Sequence, residues 1–330
     1  MAGLTFRQVS LAATCVICSI GFAQQTPSET VSLMRRLGPG ALPLSMGAPR
    51  PHLRVDSTLV LIPAHVTTAA GTSVTNLTPE HFRLFEDNAE QKITHFAKDD
   101  APISIGLVFD SSGSMHNKIR KSSEAAATFF KTANAEDEFF LVEFNDHPRL
   151  TVSFTPDSDE IYRRIAHIRP FGRTSLLDAI HLALGQMKGA RNLRKAIVIL
   201  SDGGDNRSRY SASEVKNAML ESDVQMYAMG IFDPEEIRRK TSEEEKGPKL
   251  LDELAENTGG RLYYVENLDD LTTISARIGN ELRNQYLLGY SPTNASRDGK
   301  FRRVRVNLSS PPDLPNLRTY YRHGYYAPAE

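Results

Sequence analysis

Two hydrophobic patterns divide this chain. Between residues 103 and 265 several short runs are apolar at nearly every position: Ile103–Asp110, 138–144, 196–200, 224–232 and 262–265. Unbroken runs of that length mark strands buried on both faces of a parallel sheet. Helical segments lie between them. Residues 118–133 form one, and 175–187 place Leu176, Ile180, Leu184 and Met187 on one face. Asp157-Ser158-Asp159-Glu160 has capping-box spacing for a helix through Ile168, and Ser211 with Glu214 repeats it. A further helix is stopped by Gly259-Gly260, and a long one covers 268–284. Residues 149–154 read as a short antiparallel neighbour at a sheet edge. The charged run 233–249, with Glu243-Glu244-Glu245, reads as a solvated excursion. Strands alternating with helices predict an α/β fold, a doubly wound, mostly parallel sheet with helices on both faces.

The flanks have a period of two instead. Before the α/β unit come residues 53–65 and 82–96. In the latter, Phe82-Arg83-Leu84-Phe85-Glu86 and Lys92-Ile93-Thr94-His95-Phe96 are expected to form a hairpin around Glu86-Asp87-Asn88. After it come 286–290, 301–308 and 318–326, with Val304, Val306 and Leu308 facing inward and Arg303, Arg305 and Asn307 outward. Neither flank has enough strands to be stable alone. The economical solution brings both into one small antiparallel β-sandwich with the α/β unit inserted between them. No internal repeat is visible.

At the start, Arg7 precedes an apolar run over 9–22, and Ala23 offers a small residue for cleavage. This reads as an export signal, too short to span a bilayer comfortably. Residues 24–50, rich in Pro, Gly and Ser, read as a flexible leader. The expected organisation is therefore signal 1–23, leader 24–50, β-module 51–100, α/β domain 101–285 and β-module 286–330. Both cysteines, Cys15 and Cys18, fall inside the signal. The mature chain would then have no disulfide, thiol catalysis or Cys-ligated zinc. The formal charge of -1 argues against nucleic acid as a partner.

Candidate chemistry sits where the apolar strands end. Asp110, Ser112 and Ser114 occupy alternate positions, so one carboxylate and two hydroxyls can converge. Hard oxygens suit Mg²⁺, Mn²⁺ or Ca²⁺ better than zinc or copper. A Ser-rich polar turn fits the same residues equally well. Ligand sites of open α/β sheets gather beyond the carboxyl ends of the strands. Asp202 ends a second apolar strand there, and Thr174 opens a helix at a loop junction, where a plain N-cap role is equally at home. Asp110, Ser112, Ser114, Thr174 and Asp202 thus form a possible five-oxygen cluster drawn from three loops.

Asp-x-Ser-x-Ser on a central strand, a distant Thr opening a helix and an Asp-Gly after another strand together resemble a von Willebrand factor type A domain. The resemblance covers roughly residues 103–285. The flanks resemble a group of exported bacterial proteins with β-modules around such a domain, through Leu77-Thr78-Pro79-Glu80-His81-Phe82 with Glu86-Asp87, and Tyr286-Leu287-Leu288-Gly289-Tyr290. The resemblance implies a metal-ion-dependent adhesion site. Ser112, Ser114 and Thr174 would ligate the ion directly in the ligand-occupied state, and Asp110 and Asp202 would act mainly through waters. An ion with so few charged ligands keeps its attraction for an incoming carboxylate. The implied function is exported, non-catalytic capture of an acidic residue on a partner protein. Arg173 stands where many such domains have a second glycine; it would reinforce capture of an acid or point into solvent.

Other readings remain. The ion is structural or unused in an envelope scaffold, or Asp110 is a phosphotransferase nucleophile. The latter chemistry wants a second carboxylate where Ser112 stands. A serine hydrolase elbow and a Walker-type loop are both missing. Asp178 is expected to support the fold, and Asp205 and Asn206 to make a turn. His116, His147 and His181 show no metal-ligand spacing. Asn76, Asn206, Asn294 and Asn307 begin glycosylation tripeptides that matter only in a eukaryotic secretory pathway.

Overall fold

The computed structural model describes residues 59–232, 246–312 and 314–329. The expected signal, leader and first residues of the β-module, and most of the charged run 233–249, lie outside them. No helix among the described residues is long and apolar enough to cross a membrane.

Strands run in the order β1 (Val60–Thr67), β2 (Phe82–Glu86), β3 (Ala89–Gln91), β4 (Ile93–Asp99), β5 (Ile103–Asp110), β6 (Glu138–Phe144) and β7 (Pro148–Thr155). They continue with β8 (Arg194–Ser201), β9 (Gln225–Ile231), β10 (Leu262–Val265), β11 (Gln285–Tyr290), β12 (Phe301–Leu308), β13 (Arg318–Tyr321) and β14 (Gly324–Tyr326). The described helices are α1 (Ile119–Phe130), α2 (Ser158–Ile165), α3 (Leu176–Met187), α4 (Ala212–Glu221), α5 (Lys246–Asn257) and α6 (Leu271–Arg283).

The central sheet has the order β10-β9-β8-β5-β6-β7, parallel except for β7, which pairs antiparallel at one edge. Every residue of β5, β6 and β9 is buried, which is why these strands carry no alternation. Ile105, Leu107 and Phe109 pack with α1, α2 and α6 on one face, and Val108, Phe140 and Val142 with α3, α4 and α5 on the other. The winding reverses between β5 and β8, whose carboxyl ends carry Asp110 and Ser201-Asp202.

The flanking strands form two four-stranded antiparallel sheets, β13-β1-β11-β4 and β14-β12-β2-β3. Each mixes strands from before and after the α/β unit: β1 pairs with β11 and β2 with β12. Ile62, Ala64, Leu288 and Tyr290 of one sheet share a core with Phe82, Leu84, Val304 and Val306 of the other. Period-two patterning put these side chains on one face. The Tyr286–Tyr290 segment is structural. Tyr286 Oη donates to Val74 O (2.8 Å) and accepts from Leu77 N (3.0 Å), while Tyr290 Oη and Tyr325 Oη donate to Glu86 (2.7 and 2.8 Å). Buried tyrosines keep their hydroxyls satisfied in this way.

Three boundaries differ from expectation. The hairpin partner of β2 is β3, joined by Asp87 and Asn88 with positive φ, whereas Ile93–Asp99 crosses to the opposite sheet and pairs with β11. Residues 318–326 split into β13 and β14, which join different sheets. Helix α5 already begins at Lys246, inside the charged run 233–249 expected to be a solvated excursion. Pro248 lies in its first turn, where no amide donor is needed.

A buried polar cluster lies where the sandwich meets the α/β unit. Glu281 on α6 receives Arg261, the Tyr263 hydroxyl (2.5 Å) and, at 3.7 Å, His65 Nδ1 of β1. His65 is fully buried, shares a hydrogen bond between Nε2 and Ser73 Oγ (3.0 Å) and stacks on Tyr320. Burial pushes its imidazole down to about 4; Glu281 opposes this, and Arg261 and Arg277 add to it. The folded chain therefore prefers neutral His65, whereas the unfolded histidine titrates near 6.5. The stability from the neutral form is complete above pH 6.5 and is lost as pH falls toward 4. Urea unfolding at pH 4.5 should show about 2 kcal/mol less stability than at pH 7 from this group, a portion that His65→Gln removes.

Candidate metal centre

Asp110 closes β5 fully buried, and its Oδ1 accepts the Ser112 amide at 2.9 Å. Ser112 Oγ lies 3.1 Å from Ser114 Oγ, so the two hydroxyls do converge. Ser112 ends the extended segment (φ -67°, ψ 165°) and Ser114 lies inside the 3₁₀ turn Gly113–Met115, so the tightening of the chain, and not strand alternation, brings the two hydroxyls together. Ser112 is buried and Ser114 exposed, which orients the cluster toward solvent.

Asp202 follows β8, buried, and its charge acts on Asp110. Burial first, and Asp202 second, raise the Asp110 carboxyl to about 7, against the hydrogen bonds from Ser112 and Ser201. Two carboxylates thus share a poorly solvated cleft with Lys118, whose buried ammonium lies 3.7 Å from Asp202 Oδ2. A neighbouring like charge raises the cost of ionising the buried Asp110 and favours a bound cation beside it.

Thr174, also buried, enters through its backbone. Its amide donates to Asn206 Oδ1 (3.0 Å) and its carbonyl accepts the Asn206 amide (3.0 Å), tying the loop before α3 to the loop after Asp202. Gly113 N donates to Gly172 O (3.1 Å), and Phe171 N to Ser111 O (2.9 Å), which closes the third side. Gly172 adopts φ +77°, and a Cβ there would stand 2.5 Å from Asp146 Oδ2, so the turn before Thr174 requires glycine. Ser175 N and Oγ both donate to Asn145 O (2.9 and 2.8 Å), fixing the start of α3 to the end of β6.

The five oxygen-bearing residues therefore lie on three loops stitched together at one end of the sheet. Among the described residues no three His, Cys, Asp or Glu side chains form a metal-ligating group. Two carboxylates and three hydroxyls are a different donor set, all hard oxygen, which fits Mg²⁺, Mn²⁺ or Ca²⁺ and not a soft metal.

Asp178 accepts the amides of Arg209 (2.8 Å) and Tyr210 (3.0 Å) and pairs with Arg209, a fold-supporting role as expected. Asp205 accepts the amides of Arg207 and Ser208 in its turn. Asn206 does more than turn the chain, since it clamps Thr174. Two further residues were not singled out from sequence: Lys118, and Ser201, whose hydroxyl donates to Asp110 Oδ2 at 2.5 Å. The adjacency of Ser201 was signalled by the aligned ends of two apolar strands, β5 and β8; Lys118 carried no signal.

Residues 105–204 match the family model described as von Willebrand factor type A domain. An uncharacterised protein of Borreliella burgdorferi is 26% identical over 200 residues, 54% of this chain and 58% of that protein. Inter-alpha-trypsin inhibitor heavy chain H2 of Sus scrofa is 26% identical over 196 residues, 50% of this chain and 21% of its own. The chain spans less than two thirds of the length of these curated relatives. Among solved structures, von Willebrand factor type A from Catenulispora acidiphila aligns with 12% identity and a TM-score of 0.48, covering 83% of this chain and 64% of that one. The matched segment spans β5 to the loop after β8 in the central sheet, and that segment is similar to a von Willebrand factor type A domain.

Proposed function

We propose that this protein is an exported, non-catalytic binding module that captures an acidic side chain of a partner protein through a divalent cation, Mg²⁺ or else Mn²⁺ or Ca²⁺, held by Asp110, Ser112, Ser114, Thr174 and Asp202. Domains of this family are typically adhesion or protein-interaction modules. The observation that carries the reading is the pairing of two buried carboxylates with converging serine hydroxyls at the switch point of the sheet. When bound, the ion supplies an under-neutralised positive centre with exchangeable positions for a carboxylate. The chain's own residues hold the cleft open: Ser201 and the Ser112 amide orient Asp110, Asn206 positions Thr174, and Lys118 faces Asp202.

Lys118 also favours a second reading. A buried ammonium beside Asp202 already supplies one positive charge, as a scaffold with an unused metal site would need. Partner recovery from the native envelope fraction separates the two. Under the metal reading, EDTA releases the partner, added Mg²⁺ restores it, and Thr174→Ala lowers recovery at least tenfold. Capture that survives EDTA and Thr174→Ala supports the scaffold and sinks the metal-dependent one.

A further inference from the structure

The loop entering α3 holds an unusual pair of exposed side chains. Phe171 is 54% exposed, and Arg173 is exposed with no carboxylate within ion-pair distance among the described residues. A lone exposed apolar residue is ordinary. This one differs because its backbone cannot move freely. Phe171 N is bonded to Ser111 O, Gly172 O to Gly113 N, Arg173 N to Asp146 Oδ1 (3.0 Å) and Thr174 N to Asn206 Oδ1. Four consecutive residues are thus fastened to three different loops, two of which carry the oxygen cluster. A rigidly presented aromatic loses little conformational entropy on binding, and aromatic and arginine side chains dominate binding hot spots. The guanidinium, unpaired and adjoining Thr174, suits a carboxylate by charge-assisted hydrogen bonding.

We infer that the partner presents a short acidic–apolar segment: one carboxylate for the metal centre, an apolar side chain against Phe171 and a second carboxylate for Arg173. This rests on the function proposed above, and the test separates the two. The full chain is applied to a random octapeptide array in millimolar Mg²⁺ and in EDTA, with the Mg²⁺ melting shift measured for each variant. Wild type should enrich peptides in which an acidic residue neighbours an apolar one and a second acid. Phe171→Ala should keep the acid preference, lose the apolar one and bind the selected peptides tenfold or more weakly. Arg173→Gln should lose the second acid, and Arg173→Lys should recover part of it. Identical selection and affinity by wild type and Phe171→Ala overturns the inference, as does an absence of any acidic–apolar preference in wild type. Selection that depends on Phe171 yet is indifferent to EDTA supports the inferred surface and overturns the metal reading instead.

Discussion

Saturating Mg²⁺ is expected to raise the melting temperature of this protein by roughly 5–10 °C. At a hundred times the dissociation constant, a ligand that binds only the folded state adds about 2.7 kcal/mol. For a domain of this size, each kcal/mol moves the midpoint by about 2–4 °C. The physical source is the buried Asp110 carboxyl: burial and the neighbouring Asp202 penalise its charge in the metal-free fold, and a cation relieves that penalty. Asp110→Asn should abolish the shift, because it removes a charge while keeping an oxygen for the Ser112 amide. The same substitution should leave the metal-free midpoint unchanged or slightly higher, since the repulsion with Asp202 is gone. Differential scanning fluorimetry with Mg²⁺ and with EDTA reads both effects. A wild-type midpoint indifferent to Mg²⁺, or an undiminished shift in Asp110→Asn, would remove Asp110 from the site.

The largest loss of stability is expected far from that cleft, at Glu281. Its carboxylate is almost fully buried and is the anion shared by Arg261, Tyr263 and His65. Glu281→Gln can still accept from the tyrosine but leaves the Arg261 guanidinium without a counter-charge in a largely desolvated position. Breaking a buried pair from one side typically costs about 3–5 kcal/mol. Stacking of Arg261 on Tyr263 and Tyr320 retains part of its environment, so a loss of about 3 kcal/mol is expected in urea unfolding. The exposed pair Arg83–Glu90 gives the contrast: Glu90→Gln should leave the urea midpoint essentially where it was, because solvent already screens that pair. Equal effects from the two substitutions would contradict the role assigned to Glu281. Because Glu281 faces His65 of β1, its loss should also loosen the sandwich, visible as faster amide exchange in β1 and β11.

Much of the α/β unit was legible from local pattern. The strands at Glu138–Phe144 and Leu262–Val265 lie where their apolar runs placed them, and the Ser211–Glu214 capping box is formed in both directions. Asp157 caps α2 through the Asp159 amide, but without the reciprocal Glu160 bond of the expected capping box, and α2 ends at Ile165 rather than Ile168. The hairpin was only half legible. Asp87-Asn88 marked the turn, but the alternation of Lys92 to Phe96 suited either sheet, and pairing with β11 decided it. Within the site, the spacing of Asp110, Ser112 and Ser114 singled out the set, but the 3₁₀ turn at Gly113–Met115 is what carries Ser114 back to Ser112. The clamp of Asn206 on Thr174 and the approach of Lys118 to Asp202 had no local signature.

By itself, the order of side chains determined which segments bury both faces, which bury one, and where small oxygen-bearing residues end the central strands. Those properties depend on near neighbours along the chain, through the two-residue period of a strand and the 3.6-residue period of a helix. Tertiary structure alone decided that β1 pairs with β11 and β2 with β12, and which groups surround Asp110 and Glu281. A periodic pattern specifies the face a strand hides but not the strand that covers it; that choice depends on packing between segments more than two hundred residues apart.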